Sequence, residues 1–204
     1  MAVTTKSPAK TTKPAPLFIA GDPAGDKLLM TDPLALLIGM LLDQQVTLEK
    51  AFTSPRDLVR RLGHEPTAQE LADYDPEALV AIFSERPALH RYPRAMAARV
   101  QQLCQLVVDR YHGDAASVWA GAPTGQDLLT RINALPGFGA DKARIFVAFL
   151  GKQYGVRPEG WREAAGHFGD EGSHCSVADI VDADSLAEVR AYKQSLKSAA
   201  KASS

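Results

Sequence analysis

The chain has 204 residues, of which 46% are hydrophobic and 23% charged, a balance typical of a soluble globular protein. Its formal net charge is −1, and its two cysteines are Cys104 and Cys175. This excludes a uniformly basic surface, a disulfide scaffold, a four-cysteine zinc site and a cysteine-ligated iron–sulfur cluster. We expect a cytoplasmic protein with no membrane partner, because the apolar run 34–42 is much shorter than the roughly 20 residues that span a bilayer and the N-terminus lacks a signal-peptide pattern.

The two ends of the chain differ in composition from the rest. Residues 1–15 are almost entirely Thr, Lys, Pro, Ala and Ser, which cannot bury enough apolar surface to fold. We predict a disordered basic tail over 1–15, one helical domain over 16–192, and a frayed C-terminal tail over 193–204. Each tail is either a solvated segment or a weak phosphate contact.

Between the tails, the residues at the boundaries of the predicted elements are typical of helices. Asp or Ser followed by Pro marks helix starts, since Pro is favoured in the first helical turn. Apolar residues at spacings of three and four after Pro93 indicate a long amphipathic helix that ends at Gly113. The other predicted helices cover 33–50, 55–63, 76–83, 114–120, 125–134, 140–153, 159–165 and 184–199. Thr67 and Glu70 have the spacing of a capping box at a helix start. Since only 16–20 alternates as a strand would, we predict an all-α fold.

One segment between two predicted helices carries chemistry. It reads Leu135-Pro136-Gly137-Phe138-Gly139, and two glycines around one apolar residue allow a tight reversal. The helix that follows begins with unpaired N–H groups that can bind a phosphate, and carbonyls of the turn could hold a monovalent cation. A helix–helix turn without a ligand is the alternative, but the full pattern with Lys142-Ala143 favours binding to a DNA backbone.

This hairpin resembles that of the helix-hairpin-helix (HhH-GPD) base excision DNA repair glycosylase superfamily, which includes endonuclease III and the 3-methyladenine DNA glycosylases. Two further segments are similar to the family in the same order, Leu41–Thr47 and Leu89–Val100. The resemblance covers about residues 30–165. It implies a bilobed all-α bundle, a nucleoid-associated monomer, and extrusion of a damaged nucleotide from DNA, because the N-glycosidic bond is unreachable inside a duplex.

The resemblance also assigns roles to single residues. Gln45 would fill the gap left by the extruded base, and Leu89 or His90 would be the wedge, although His90 could equally be an ordinary surface histidine. Arg94 takes the place of a family Lys. The expected DNA contacts of the hairpin are Leu135, Gly137, Phe138, Gly139 and Lys142, with the Lys142 side chain either on a phosphate or merely solvated.

The chain departs from the family at the catalytic positions. Where the family has an Asp, this chain has Glu159, which either supplies the carboxylate that glycosyl cleavage requires or is a solvated acid, with Glu163 as the next candidate. Where some members have a Schiff-base Lys, this chain has Asp141, so lyase activity is not expected. Trp161 either stacks on the flipped base or belongs to the core. We expect no iron–sulfur cluster, no metal and no organic cofactor.

Three hypotheses follow. The first is a monofunctional DNA N-glycosylase with Glu159 as its carboxylate. The second is a non-catalytic DNA-binding module on the same fold, which the absence of the family Asp and Lys would explain. The third is a helical interaction domain without DNA affinity, in which the hairpin is only a turn.

Overall fold

The structure, a computed structural model, describes residues 16–202, so the basic tail predicted over 1–15 lies outside the described residues. The described chain contains three short 3-10 helices, at Ala115–Val118, Gly166–Gly169 and Val177–Asp179. It has no β-strand, only an isolated bridge between Thr124 and Glu159, so the all-α prediction is confirmed. The α-helices are α1 (Pro23–Thr31), α2 (Pro33–Leu42), α3 (Leu48–Leu62), α4 (Ala68–Asp73), α5 (Pro76–Ser84), α6 (Pro93–Tyr111), α7 (Gly125–Asn133), α8 (Ala140–Gln153), α9 (Trp161–Ala165) and α10 (Ala183–Ala202).

Capping side chains explain several helix starts. The Asp32 carboxylate accepts a hydrogen bond from the Leu34 N–H at 2.8 Å, and the Asp75 carboxylate accepts one from the Ala78 N–H at 2.7 Å. Each cap precedes a Pro in the first turn, whose missing N–H needs no partner there. The predicted starts of α2 and α5 are therefore confirmed, whereas α1, which also begins at an Asp-Pro pair, was not predicted.

The predicted helix 33–50 is wrong, because α2 ends at Leu42 and α3 begins at Leu48. Gln45 between them has φ 56°, which an α-helix cannot contain. The Thr47 hydroxyl caps α3 by accepting from the Lys50 N–H at 3.3 Å. The predicted start at Pro55 is also wrong, since this proline lies inside α3. We call residues 43–47 the Gln loop.

The helices form two lobes that share one hydrophobic core. In the first lobe α4 and α5 pack on α6, and in the second α7 and α9 pack on α8. Helix α2 contacts α3 and α6, and all of its residues from 34 to 42 are buried. This burial explains why α2 reads as a continuous apolar run rather than an amphipathic pattern. The end of α2 is consequently a fixed platform for the Gln loop.

Helix α10 continues to Ala202, beyond the point at which the sequence predicts fraying from residue 193. Its last ten residues include three alanines and three lysines, which favour helix. The helix docks on the body of the protein through an ion pair of Arg190 with Glu49 of α3 and through buried Val189. Within residues 16–202, no helix combines the length and the apolar character needed to cross a membrane.

Candidate functional site

The hairpin turn, residues 134–139, packs directly against the end of α2. The Phe138 N–H donates to the Leu135 carbonyl at 3.1 Å and closes the turn. Gly137 has φ 81°, and a Cβ there would stand 2.4 Å from Leu41 Cδ1. A side chain at this position would be both strained and overpacked, so glycine is required. Leu135 and Phe138 are buried, so they hold the turn in place. Their side chains are not placed to contact DNA, contrary to the expectation from the sequence.

Gly139 occupies the other end of the turn and faces open space. It is the N-cap residue of α8 and has no side chain to cap the helix. A Cβ at Gly139 would meet no atom within 4 Å, and its φ of −73° is allowed to any residue. The first N–H groups of a helix have no intrahelical partners, so a phosphate can approach α8 at this point.

The Gln loop is held by hydrogen bonds through Gln44. The Gln44 Nε2 donates to the Leu41 carbonyl at 2.8 Å, and its Oε1 accepts from Arg99 at 2.9 Å. Its carbonyl accepts from His90 Nε2 at 2.8 Å. The next residue, Gln45, is exposed and left-handed, a conformation that costs about 1–2 kcal/mol in a residue other than glycine. A strained residue fixed by its neighbours is frequent at binding sites.

Neither residue predicted as the wedge can enter a duplex. Leu89 is fully buried, and its carbonyl accepts from the Ser54 hydroxyl at 2.6 Å. His90 is 2% exposed, and its Nδ1 accepts from the Tyr92 N–H at 3.0 Å, so that its Nε2 carries the proton donated to the Gln loop. Burial lowers the pKa of His90 and favours this neutral form.

Tyr92 is the exposed aromatic residue of the same loop, residues 85–92, and was not among the site residues predicted from the sequence. Its side chain is 43% exposed, and the Arg91 guanidinium lies 5.4 Å from its ring centroid. The available signal was its place directly before Pro93, since a residue before Pro is held extended and outside the helix. Tyr92 is therefore better placed to stack on a base than Leu89 or His90.

Lys142 does not point toward solvent as a phosphate contact would. Its Nζ donates to the carbonyls of Met40 and Leu41, at 2.9 and 3.0 Å, and lies 5.8 Å from the Phe138 ring centroid. It thus satisfies carbonyls at the C-terminal end of α2, which have no intrahelical partner. Burial lowers the pKa of Lys142 to about 8, with the nearby Asp43 carboxylate opposing this shift. The expected role of Lys142 as a DNA contact is therefore corrected to a link between hairpin and Gln loop.

Asp43 is a half-buried carboxylate that the sequence analysis also missed. It follows directly after α2, and its backbone N–H donates to the Gly39 carbonyl at 3.1 Å. Its side chain has no hydrogen bond or ion pair to any residue within 16–202. Burial raises the pKa of Asp43, while the positive charges of Lys193 and Lys142 act in the opposite direction.

Arg94 is exposed at the start of α6, as an interface residue should be. Its guanidinium is paired bidentately with the Glu77 carboxylate, at 2.7 and 2.9 Å. This ion pair raises the pKa of Arg94 and lowers that of Glu77. Exposed ion pairs contribute little free energy, so a phosphate can compete with Glu77 for this arginine.

Glu159 and Trp161 lie away from these elements. The Glu159 carbonyl accepts from the Gly125 N–H at 2.6 Å, and its side chain is exposed. Gly125 is the first residue of α7, whereas the hairpin turn follows the C-terminal end of α7. The two ends of this helix are about 12 Å apart along its axis. The Trp161 ring is 8% exposed and packs against Gly151, so the structure places it in the interior and not on a base-stacking surface.

Contacts therefore join the hairpin turn, the Gln loop and the loop before α6 into one surface. Gly137 packs on Leu41, Lys142 binds the same end of α2, and His90 binds the Gln loop. The surface exposes an amide at Gln45, an aromatic ring at Tyr92 and the start of α8. An amide, an aromatic ring and free backbone N–H groups can together bind a distorted polyanion with unstacked bases.

The comparisons with known proteins agree with this arrangement. The family model described as "HhH-GPD superfamily base excision DNA repair protein" matches residues 38–203. The match contains the Gln loop, the loop before α6 and the hairpin turn. No curated protein and no solved structure matches the chain significantly.

Proposed function

Because this chain belongs to the HhH-GPD superfamily of base excision DNA repair proteins, we propose that it is a monofunctional DNA glycosylase. It extrudes a damaged nucleotide from a duplex and hydrolyses the N-glycosidic bond. The observation that carries this proposal is Gln45, an exposed residue held in a strained left-handed conformation beside the hairpin turn. The left-handed conformation would serve binding if it directs the Gln45 side chain into the space that the extruded base has left in the duplex.

Each part of the surface has a share in extrusion. Unstacking and unpairing a nucleotide costs a few kcal/mol. Gln45 offsets part of that cost by filling the vacated space, and the Tyr92 ring stacks on the exposed neighbouring base. The N–H groups at the start of α8, beside open Gly139, hold a phosphate and fix the register of the strand.

The chemistry we propose is hydrolysis without a covalent intermediate. A Schiff base would require a free amine on the hairpin. The amine closest to that position belongs to Lys142, which donates to two carbonyls of α2. Asp141, where some family members have the nucleophile, is an acid. The products should therefore be the free base and an intact strand with an abasic site.

A single-turnover assay tests the activity. Excess protein is incubated with duplexes that carry methylated, deaminated or oxidised bases, and strands are resolved with and without alkali. We expect alkali-dependent cleavage of at least one duplex and no nick before alkali. Absence of release from all three classes would overturn the proposal of a glycosylase, and nicks before alkali would overturn its monofunctional character.

A matched pair of glycine variants tests the role of Gln45. Both Gln45 and His112 are exposed residues with positive φ, at 56° and 54°. Gln45→Gly and His112→Gly should each relieve about 1 kcal/mol of strain, but only Gln45→Gly should weaken binding to a duplex with a tetrahydrofuran abasic analogue. Equal affinity of the two variants would remove Gln45 from the interface.

The position of Glu159 favours a second candidate, a DNA-binding module that removes no base. This carboxylate is exposed and bonded through its backbone to the far end of α7. If Glu159 were the carboxylate of the reaction, it would be poorly placed. Salt-sensitive binding to damaged duplexes without base release would support this candidate.

A further inference from the structure

We infer that Asp43, and not Glu159, is the catalytic carboxylate that accepts a proton from the attacking water. This inference rests on the proposed glycosylase function and identifies the residue that performs its central step. It begins from position, since Asp43 stands two residues before Gln45 on the Gln loop. A group in this loop comes close to the extruded nucleotide whenever Gln45 occupies the vacated space.

The surroundings of Asp43 leave its carboxylate available for chemistry. The adjacent Gln44 binds Arg99, His90 and the Leu41 carbonyl, so the loop backbone is fixed. Among residues 16–202, by contrast, none donates a hydrogen bond to the Asp43 side chain or pairs with it within 4 Å. A half-buried carboxylate without a partner is costly, and such groups are concentrated at functional sites.

The charges around Asp43 suit a general base. Lys142 of α8 and Lys193 of α10 supply positive charge. Of the residues that bind the neighbouring Gln44, His90 is neutral and Arg99 is charged. Burial nevertheless outweighs the lysines and raises the pKa of Asp43, which makes the carboxylate more basic than an exposed aspartate. Lys193, which is exposed, can also face the negatively charged strand as it approaches.

The other acids near this surface are already engaged or exposed. Asp141, at the start of α8, is exposed and lies 3.6 Å from Arg144. Glu49 of α3 is paired with Arg190. Asp43 thus differs from both, since it combines partial burial with a free side chain.

The proposed step balances as a hydrolysis. The N-glycosidic bond breaks, and its electron pair leaves with the base nitrogen, which takes up a proton from solvent. The water oxygen forms a new bond to C1′ and gives one proton to the Asp43 carboxylate, which returns it to solvent. The negative charge of Asp43 also stabilises the oxocarbenium character at C1′.

The test compares carboxylate variants under single-turnover conditions on the duplex that the wild-type chain processes. Asp43→Asn should lower the rate constant of base release by about a hundredfold or more, a typical share for a general base. Its affinity for a tetrahydrofuran duplex should be retained. Glu159→Gln should release base at the wild-type rate, as should Asp109→Asn, a matched control at an exposed position of α6.

A second variant keeps the test decisive if Asp43→Asn folds poorly. Asp43→Glu keeps the charge but displaces the carboxylate, and a displacement of about 1 Å can cost a hundredfold in rate. Unchanged release in Asp43→Asn or Asp43→Glu, or a loss explained by lost duplex binding, would overturn the inference. Loss of release in Glu159→Gln alone would return the role to Glu159. A wild-type chain that releases no base overturns the glycosylase proposal itself, and Asp43 with it.

Discussion

The carboxylate of Asp43 destabilises the folded chain at neutral pH. Burial raises its pKa above the ordinary value, so the folded state disfavours the charged form that dominates above that pKa. Asp43→Asn should therefore raise Tm at pH 7, and the gain should shrink at a pH low enough to protonate the wild-type carboxyl. Thermal unfolding at several pH values measures this, with Asp109→Asn as the exposed control. A lower Tm for Asp43→Asn at pH 7 would mean that the carboxylate stabilises the loop.

His90 makes the folded chain sensitive to acid. Because its pKa is lowered in the folded state, the unfolded state binds the proton more readily, and stability should fall as the pH drops below about 6.5. Protonation of Nδ1 would also break the bond from the Tyr92 N–H. Urea unfolding at pH 7.5 and 5.5 should show a smaller acid loss for His90→Gln than for the wild type.

His64 provides a control of opposite sign. Its exposed ring is bonded to Glu70 at 2.8 Å, which raises its pKa, so it stabilises the folded state more at acid pH. His64→Gln should therefore lose at least as much stability on acidification as the wild type. An equal acid loss in His90→Gln and the wild type would show that another group causes it.

At the scale of single elements, substitutions at the two hairpin glycines should have different effects on stability and on DNA binding. Gly137→Ala places a Cβ 2.4 Å from Leu41 Cδ1 at a positive φ, so it should destabilise the chain by about 2–4 kcal/mol. Gly139→Ala meets no atom, so its stability should lie within about 0.5 kcal/mol of wild type. Chemical denaturation measures both values.

Binding should still distinguish Gly139→Ala from the wild type. If the turn approaches a phosphate, the added methyl group stands where the strand lies, and affinity for a tetrahydrofuran duplex should fall by about tenfold, or 1.4 kcal/mol. Wild-type affinity in this well-folded variant would exclude close approach of DNA at Gly139.

The elements that could be predicted from the sequence are those with local signals. Asp-Pro caps locate α2 and α5, and periodic apolar residues locate α6. The break at residues 43–47 could not be predicted in this way, because α2 is apolar on every side and a single threonine such as Thr47 does not by itself identify a helix start. The bonds that stabilise the break come from His90 and Arg99, which are distant in sequence.

At the scale of the whole molecule, a net charge of −1 limits how many phosphates the protein can neutralise. The exposed cations around the proposed interface are Arg91, Arg94, Arg99, Arg144 and Lys193. If each of these five cations contacts one phosphate, the slope of log affinity against log salt should be about −4.5. Arg91→Gln should make the slope shallower by about 1, whereas Arg110→Gln at the far end of α6 should not. A wild-type slope of −6 or steeper would require a larger basic surface.

The candidate site illustrates what a family resemblance can and cannot predict. It led correctly to the hairpin as a tight turn, and it singled out Gln45, which the sequence predicts near the end of a helix and which the structure shows exposed in a loop. It could not decide which side chains near those positions face solvent. Leu89, His90 and Trp161 are buried, whereas Tyr92 is exposed and Asp43 is partly exposed. Burial depends on packing between distant elements, so it has no local sequence signal.

Because α10 follows the candidate site in the chain, the order of synthesis affects the charges around Asp43. The Gln loop and the hairpin are translated before residue 140, but Lys193, whose charge acts on Asp43, is added more than 50 residues later. Arg190, which ties α10 to Glu49, also comes late. A nascent chain that has not yet reached α10 therefore contains the residues of the surface that we propose meets DNA, while its Asp43 lacks one of its two neighbouring cations. The electrostatic environment of that carboxylate is completed only after α10 has been translated.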